Sequence, residues 1–150
     1  MPGPARMSGG CACGRVRFTA RVHGDEAYLC HCRMCQRATG SISIAFKQVK
    51  DEDLEWASEP DWYESSPIAR RPYCSGCGTS LGFAFKESGG AMDITVAAFD
   101  DPSAFKPTHH FGAESIHRAW LNTEGLKEIR TDEHAKLKDK WIAATGKFPG

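Results

Sequence analysis

The sequence lacks net charge: Lys and Arg total 19, and Asp and Glu total 19. With no positive field to hold a phosphate backbone or an anionic bilayer surface, a nucleic-acid or membrane partner is not expected. No apolar run approaches the roughly 20 residues that span a bilayer. The opening residues, MPGPARMSGG, lack the apolar stretch of a secretory signal. These absences lead to the expectation of a cytoplasmic protein. Repeats, linkers and low-complexity tracts are missing too, and 150 residues suffice for one core but not two. Residues 1–9, rich in Gly, Pro and Ser, are expected to form a flexible N-terminus, and residues 10–150 a single domain.

Short runs of period two, bounded by turn residues, fill most of the chain. Val16, Phe18 and Ala20 alternate with Arg15, Arg17, Thr19 and Arg21, the pattern of a half-exposed strand. Further strands are predicted at 26–29, 42–49, 61–65, 68–73, 81–85 and 92–99, which are rich in aromatic and β-branched residues. One helix is predicted over 132–145, with Thr131 as its cap, Leu137 and Trp141 four apart, and Gly146 after its last turn. The fold class is mainly β with a short C-terminal helix. Trp56, Trp62, Trp120 and the phenylalanines of 81–85 are read as core.

Seven cysteines are an odd number, and in a reducing compartment clustered thiols point to metal or catalysis before disulfides. They fall into three groups: C-A-C at Cys11 and Cys13, C-H-C-R-M-C at Cys30, Cys32 and Cys35, and C-S-G-C at Cys74 and Cys77. In extended chain, residues i and i+2 share a face, so C-x-C offers two sulfurs to one ion while Ala12 or His31 faces away. C-x-x-C achieves the same through a turn, which Gly76 and Gly78 permit. Two pairs make four ligands, and four thiolates close a tetrahedral zinc. Pairing Cys11 and Cys13 with Cys74 and Cys77 leaves Cys30, Cys32 and Cys35, whose three sulfurs would leave one coordination position open. Spacing does not force this partition: His31 or a distant histidine could complete the trio as a second structural site.

The pieces GGCACGRVRF at 9–18, CHCRMCQRATGS at 30–41, RPYCSGCGTSLGF at 71–83 and FDDPSAFKPTHHF at 99–111 resemble, in this order, the glutathione-dependent formaldehyde-activating family. The likeness runs over roughly residues 9–120. It implies an Mss4-like fold of several short antiparallel sheets around a structural zinc held by Cys11, Cys13, Cys74 and Cys77. It also implies a catalytic zinc on Cys30, Cys32 and Cys35, and a carbon–sulfur lyase or synthase that adds glutathione, or another small thiol, to formaldehyde or another small aldehyde. A three-thiolate zinc is a poor Lewis acid, and an incoming thiol held there as a nucleophile suits it better than a bound water.

Arg33 and Arg37 flank the trio and could hold the carboxylates of a glutathione-like tripeptide, or lie solvated beside a turn. The resemblance makes His110 the candidate proton donor to a developing alkoxide. Asp100 and Asp101, before Pro102, read as turn formers. The alternative is a non-catalytic zinc-stabilised module that binds a thiol or a protein. A zinc-ribbon nucleic-acid binder lacks its basic strip here, and a thiol reductase of similar architecture would carry a second C-x-x-C pair and a single spare nucleophile.

Overall fold

A computed structural model describes residues 3–149. These divide into two compact units, one ending at His117 and the other beginning at Arg118. The first holds ten strands: β1 (Ala5–Gly10), β2 (Arg17–Val22), β3 (Glu26–Cys30), β4 (Ile44–Lys50), β5 (Leu54–Trp56), β6 (Asp61–Ser66), β7 (Ala69–Tyr73), β8 (Gly82–Phe85), β9 (Ala91–Thr95) and β10 (Lys106–Phe111). One short helix, α1 (Arg33–Thr39), follows β3. The mainly β class is as expected from the alternation.

Strands β1, β2 and β5 form an antiparallel three-stranded sheet; the other seven lie in the order β10-β3-β4-β9-β8-β7-β6. All pairings in the larger sheet are antiparallel except β10 with β3. Residues 1 and 2, part of the expected flexible terminus, lie outside the described residues. Residues 5–9, also expected to fray, are paired along β1 with β2 from Ala5↔Val22 to Gly10↔Arg17. Glycine is what lets β1 approach: a Cβ on Gly9 would come within 2.3 Å of the Ala98 carbonyl oxygen.

Alternation on the larger sheet sorts its residues into two hydrophobic clusters. Ala27, Val49, Ala84, Met92 and Ile94 join Val16 and the β2 residues Phe18, Ala20 and Val22 in the main core. Cys30, Ile44 and Phe46 form a second, smaller cluster with Cys35 of α1, and Tyr28, Cys32 and Phe83 pack against it. The second face therefore carries three cysteines and is only partly covered. Trp56 and Trp62 pack against the main core, whereas Trp120, expected inside, is 71% exposed.

The second unit carries α2 (Ala135–Thr145), ending in left-handed Gly146 as its sequence suggests. Its cap is His134, whose ring accepts from the Leu137 amide, while Thr131 starts a 3-10 turn before it. Among the described residues no helix is long and apolar enough to cross a membrane.

Candidate functional site

Cys11 and Cys13 follow β1, and Cys74 and Cys77 follow β7; their four sulfurs all lie within 4.8 Å of one another. Cys11 Sγ is 3.5 Å from Cys13 Sγ, which is 3.7 Å from Cys74 Sγ. Sulfurs bound at about 2.3 Å around a tetrahedral ion stand about 3.8 Å apart, so this cluster could hold zinc. The backbone prepares it: the Val16 amide donates to Cys11 Sγ at 3.2 Å, and the Gly78 amide closes the Cys74 turn at 2.7 Å. Gly78 has φ +79°, so the knuckle needs glycine at that position. Hydrogen bonds from Thr79 lower the Cys77 thiol to about 5, which readies it as a thiolate ligand.

The other three cysteines are set by a strand end and a helix start. Cys30 ends β3, Cys32 is the residue before α1, and Cys35 lies in its first turn. Cys32 and Cys35 thus meet by helical i, i+3 spacing, not by extended chain. The Cys35 thiol is electrostatically coupled to those of Cys30 and Cys32. The trio is looser than the first cluster. Among the described residues the Cys11 cluster is the one set of three or more ligating side chains gathered within 4.8 Å.

A cavity of about 580 Å³ opens beside the trio, with Cys30, Cys32 and Cys35 all in its lining. Arg71 of β7 reaches it from beneath. The residue is 1% exposed, and its guanidinium donates from Nη2 to Cys35 Sγ at 3.2 Å and sits 5.0 Å from the Phe83 ring centroid. Its Nε and Nη1 are buried without hydrogen-bond partners. Hydrogen bonding from Cys30, with Arg71 and Cys32 adding to it against the effect of burial, lowers the Cys35 thiol to about 6. The bond with Cys35 and burial raise that of Cys30. On the adjoining wall stand Tyr28 and Asp93, and burial raises both groups above their ordinary values. The His109 ring stacks on Tyr28, with centroids 5.3 Å apart and planes 19° apart.

His110 takes a different position. Its Nδ1 is 2.8 Å from Nε2 of the fully buried His31, whose Nδ1 is 2.9 Å from Ser43 Oγ, and it is His109 that lines the cavity. The cause is a bulge in β10: Pro107 pairs with Ala27 and His109 with Tyr28, leaving Thr108 unpaired in the ladder. Arg33 and Arg37 are exposed on α1 and line no wall of the cavity; Arg33 Nη1 donates to Gln36 Oε1 at 2.6 Å. Asp101 builds a turn as expected, accepting from the Ser103 amide, and Asp100 pairs with Arg17. Of the phenylalanines read from sequence as core, Phe83 packs against the second cluster and also lines the cavity, whereas Phe85 is 52% exposed at its wall.

Sequence reading passed over Arg71, Asp93, Tyr28 and His109. Arg71 left a signal: it shares the inward parity of Ala69 in β7, an unusual place for a charge. Asp93 left none, because a polar residue between Met92 and Ile94 looks like the solvent face of a strand.

The chain has clear likenesses. A family model described as glutathione-dependent formaldehyde-activating enzyme matches residues 6–115. An uncharacterised lyase of Schizosaccharomyces pombe is 30% identical over 77 residues, which are 51% of this chain and 56% of that protein, so the match spans about half the length of this curated relative. A crystal structure of a Rhodobacter sphaeroides protein aligns with a TM-score of 0.55 at 21% identity, covering 69% of this chain and 99% of that one; this likeness is one of fold.

Proposed function

We infer, because this chain belongs to the glutathione-dependent formaldehyde-activating enzyme family, that it is a zinc-dependent carbon–sulfur lyase or synthase joining glutathione, or a similar small thiol, to formaldehyde or another small aldehyde. The observation that carries this reading is the separation of two cysteine groups. Cys11, Cys13, Cys74 and Cys77 are closed on themselves, while Cys30, Cys32 and Cys35 border a cavity of about 580 Å³.

The first group would hold a structural ion and the second group a catalytic one. An ion on three thiolates supplies an open coordination position where a thiol is kept deprotonated near neutral pH yet nucleophilic. Arg71, bonded to Cys35, offsets the negative charge of the trio and orients that sulfur. Addition turns the carbonyl oxygen into an alkoxide that needs a proton. His110, the residue favoured by the family resemblance, would act from behind the cavity wall through its bond to His31. His109 and the Tyr28–Asp93 pair stand closer to the cavity and are the nearer proton carriers. Arg33 and Arg37 would meet the carboxylates of a tripeptide that extends past Met34, the α1 residue at the cavity rim.

The test is metal content and X-ray absorption of the wild type and Cys32→Ser, with and without glutathione. Two ions per chain are expected, one of them lost in Cys32→Ser. Glutathione should add one zinc–sulfur bond to the wild-type spectrum. An unchanged sulfur coordination number would sink the thiol-addition reading in favour of a structural zinc module.

A further inference from the structure

A one-carbon aldehyde does not explain this cavity. Formaldehyde occupies little more space than the ~30 Å³ of a water molecule, against a cavity of about 580 Å³. A ligand of two heavy atoms is held with no better than about millimolar affinity, so useful binding must come from groups attached to the carbonyl. What this cavity offers such groups is flat apolar surface. Four of the eight phenylalanines, Phe46, Phe83, Phe85 and Phe111, line it with Tyr28 and Met34. Met34, Phe85 and Phe111 are 51%, 52% and 62% exposed, so their apolar area stays wet until a ligand covers it.

Both cations of the walls are buried. Lys47 Nζ, 4% exposed as a side chain, donates to the Glu26 carbonyl at 2.7 Å and to Glu26 Oε1 at 3.1 Å. Arg71 is buried against Cys35, its Nε and Nη1 unpartnered but out of reach of solvent. Neither cation is presented to the two carboxylates of glutathione, so the cavity itself does not suit the tripeptide. It suits an uncharged, planar body lying between the rings, with the carbonyl carbon directed to the cysteines.

Resting on the thiol-addition reading above, we propose that the electrophile of this site is an aromatic aldehyde, its ring held by Phe83, Phe85 and Phe111 and its carbonyl beside Cys30, Cys32 and Cys35. The step is balanced without an oxidant or reductant. The thiol sulfur forms a bond to the carbonyl carbon, the C=O π bond opens, and the thiol proton ends on the oxygen, giving an aryl hemithioacetal.

Two measurements on the full-length, zinc-loaded protein test this. The first is a saturation-transfer NMR titration with benzyl alcohol, which cannot react, beside methanol as the one-carbon control, repeated on Phe85→Ala. Phe85 is half exposed at a strand end, and circular dichroism verifies that the variant folds. Benzyl alcohol is expected to bind at least about ten-fold more tightly than methanol, and to lose most of that advantage in Phe85→Ala. The second is the rate of glutathione addition to benzaldehyde and to formaldehyde, each against its uncatalysed background. A benzaldehyde enhancement at least about ten-fold above that of formaldehyde is expected. Equal binding of the two alcohols, or no effect of Phe85→Ala, would overturn the proposal. So would acceleration of formaldehyde alone, which would leave the thiol-addition reading standing. Aryl binding with neither aldehyde accelerated would overturn both.

Discussion

Arg71 buries a permanent charge with one bond to a sulfur and two nitrogens without partners. Such a group is costly unless it answers a charge, and the Cys35 thiol, lowered to about 6, supplies one. Arg71→Met, which keeps the volume and removes the donor, should weaken metal binding by the trio about 10–100-fold. Chelator competition reads this directly, with the four-cysteine cluster unaffected as the internal control. The cysteines themselves should divide by consequence. A structural zinc contributes on the order of 10 kcal/mol to folding, so Cys74→Ser should be insoluble, whereas Cys32→Ser should be folded and inactive. Equal solubility losses would contradict that division. Asp93 adds a pH signature. Burial raises its carboxyl above the ordinary value, so its contribution to stability is complete below the unfolded value of about 4 and is lost as pH rises through the folded one. Asp93→Asn keeps the shape and removes the ionisable group. It should raise the melting temperature at pH 7, and the gain should vanish toward pH 4, as followed by thermal denaturation across that range.

At the scale of elements, the site depends on two segments that alternation did not reveal. Helix α1 is seven residues long, and its first neighbour, Cys32, makes no side-chain capping bond. Without a cap signal or a long apolar stripe, CHCRMC reads as extended chain. The helix forms because Gly40 closes it in the left-handed conformation and because Cys35 and Gln36 are buried. Strand β10 is the second. Its bulge at Thr108 shifts the register so that His109, not His110, stacks on Tyr28. At its end Gly112, with φ +67°, lies so close to α1 that a Cβ would meet the Cys32 amide nitrogen at 2.8 Å. Gly112→Ala should therefore cost more than about 1 kcal/mol and displace Cys32. The expected outcome is loss of the ion proposed at Cys30, Cys32 and Cys35, with retention of the one proposed at the four-cysteine cluster, measured by metal analysis after gel filtration.

For the whole molecule, both cysteine groups and the cavity belong to the unit ending at His117, as does the family match over residues 6–115. Removing metal should act on that unit: calorimetry after chelation should give a lower transition temperature, restored on adding zinc. In the second unit, Leu121 to Arg130 are exposed and carry no helix or strand. Limited proteolysis should cut there first.

Cysteine spacing, period-two alternation and four ordered motifs were enough to identify a mainly β chain, a four-thiol cluster and the family. These signals are local, because ligands two or three residues apart and residues on one strand face are set by backbone geometry alone. Alternation assigns residues to faces, but it does not say what lies over each face. Asp93, Phe83 and Tyr28 alternate with core residues just as solvent-facing residues would, and only the packing of seven strands with α1 turned that face into a cavity. Arg71 meets Cys35 from 36 residues away, and His31 meets His110 from 79. Partnerships at such separations are decided by sheet order and by a bulge, and it is the tertiary structure that brings the groups around the three open cysteines together.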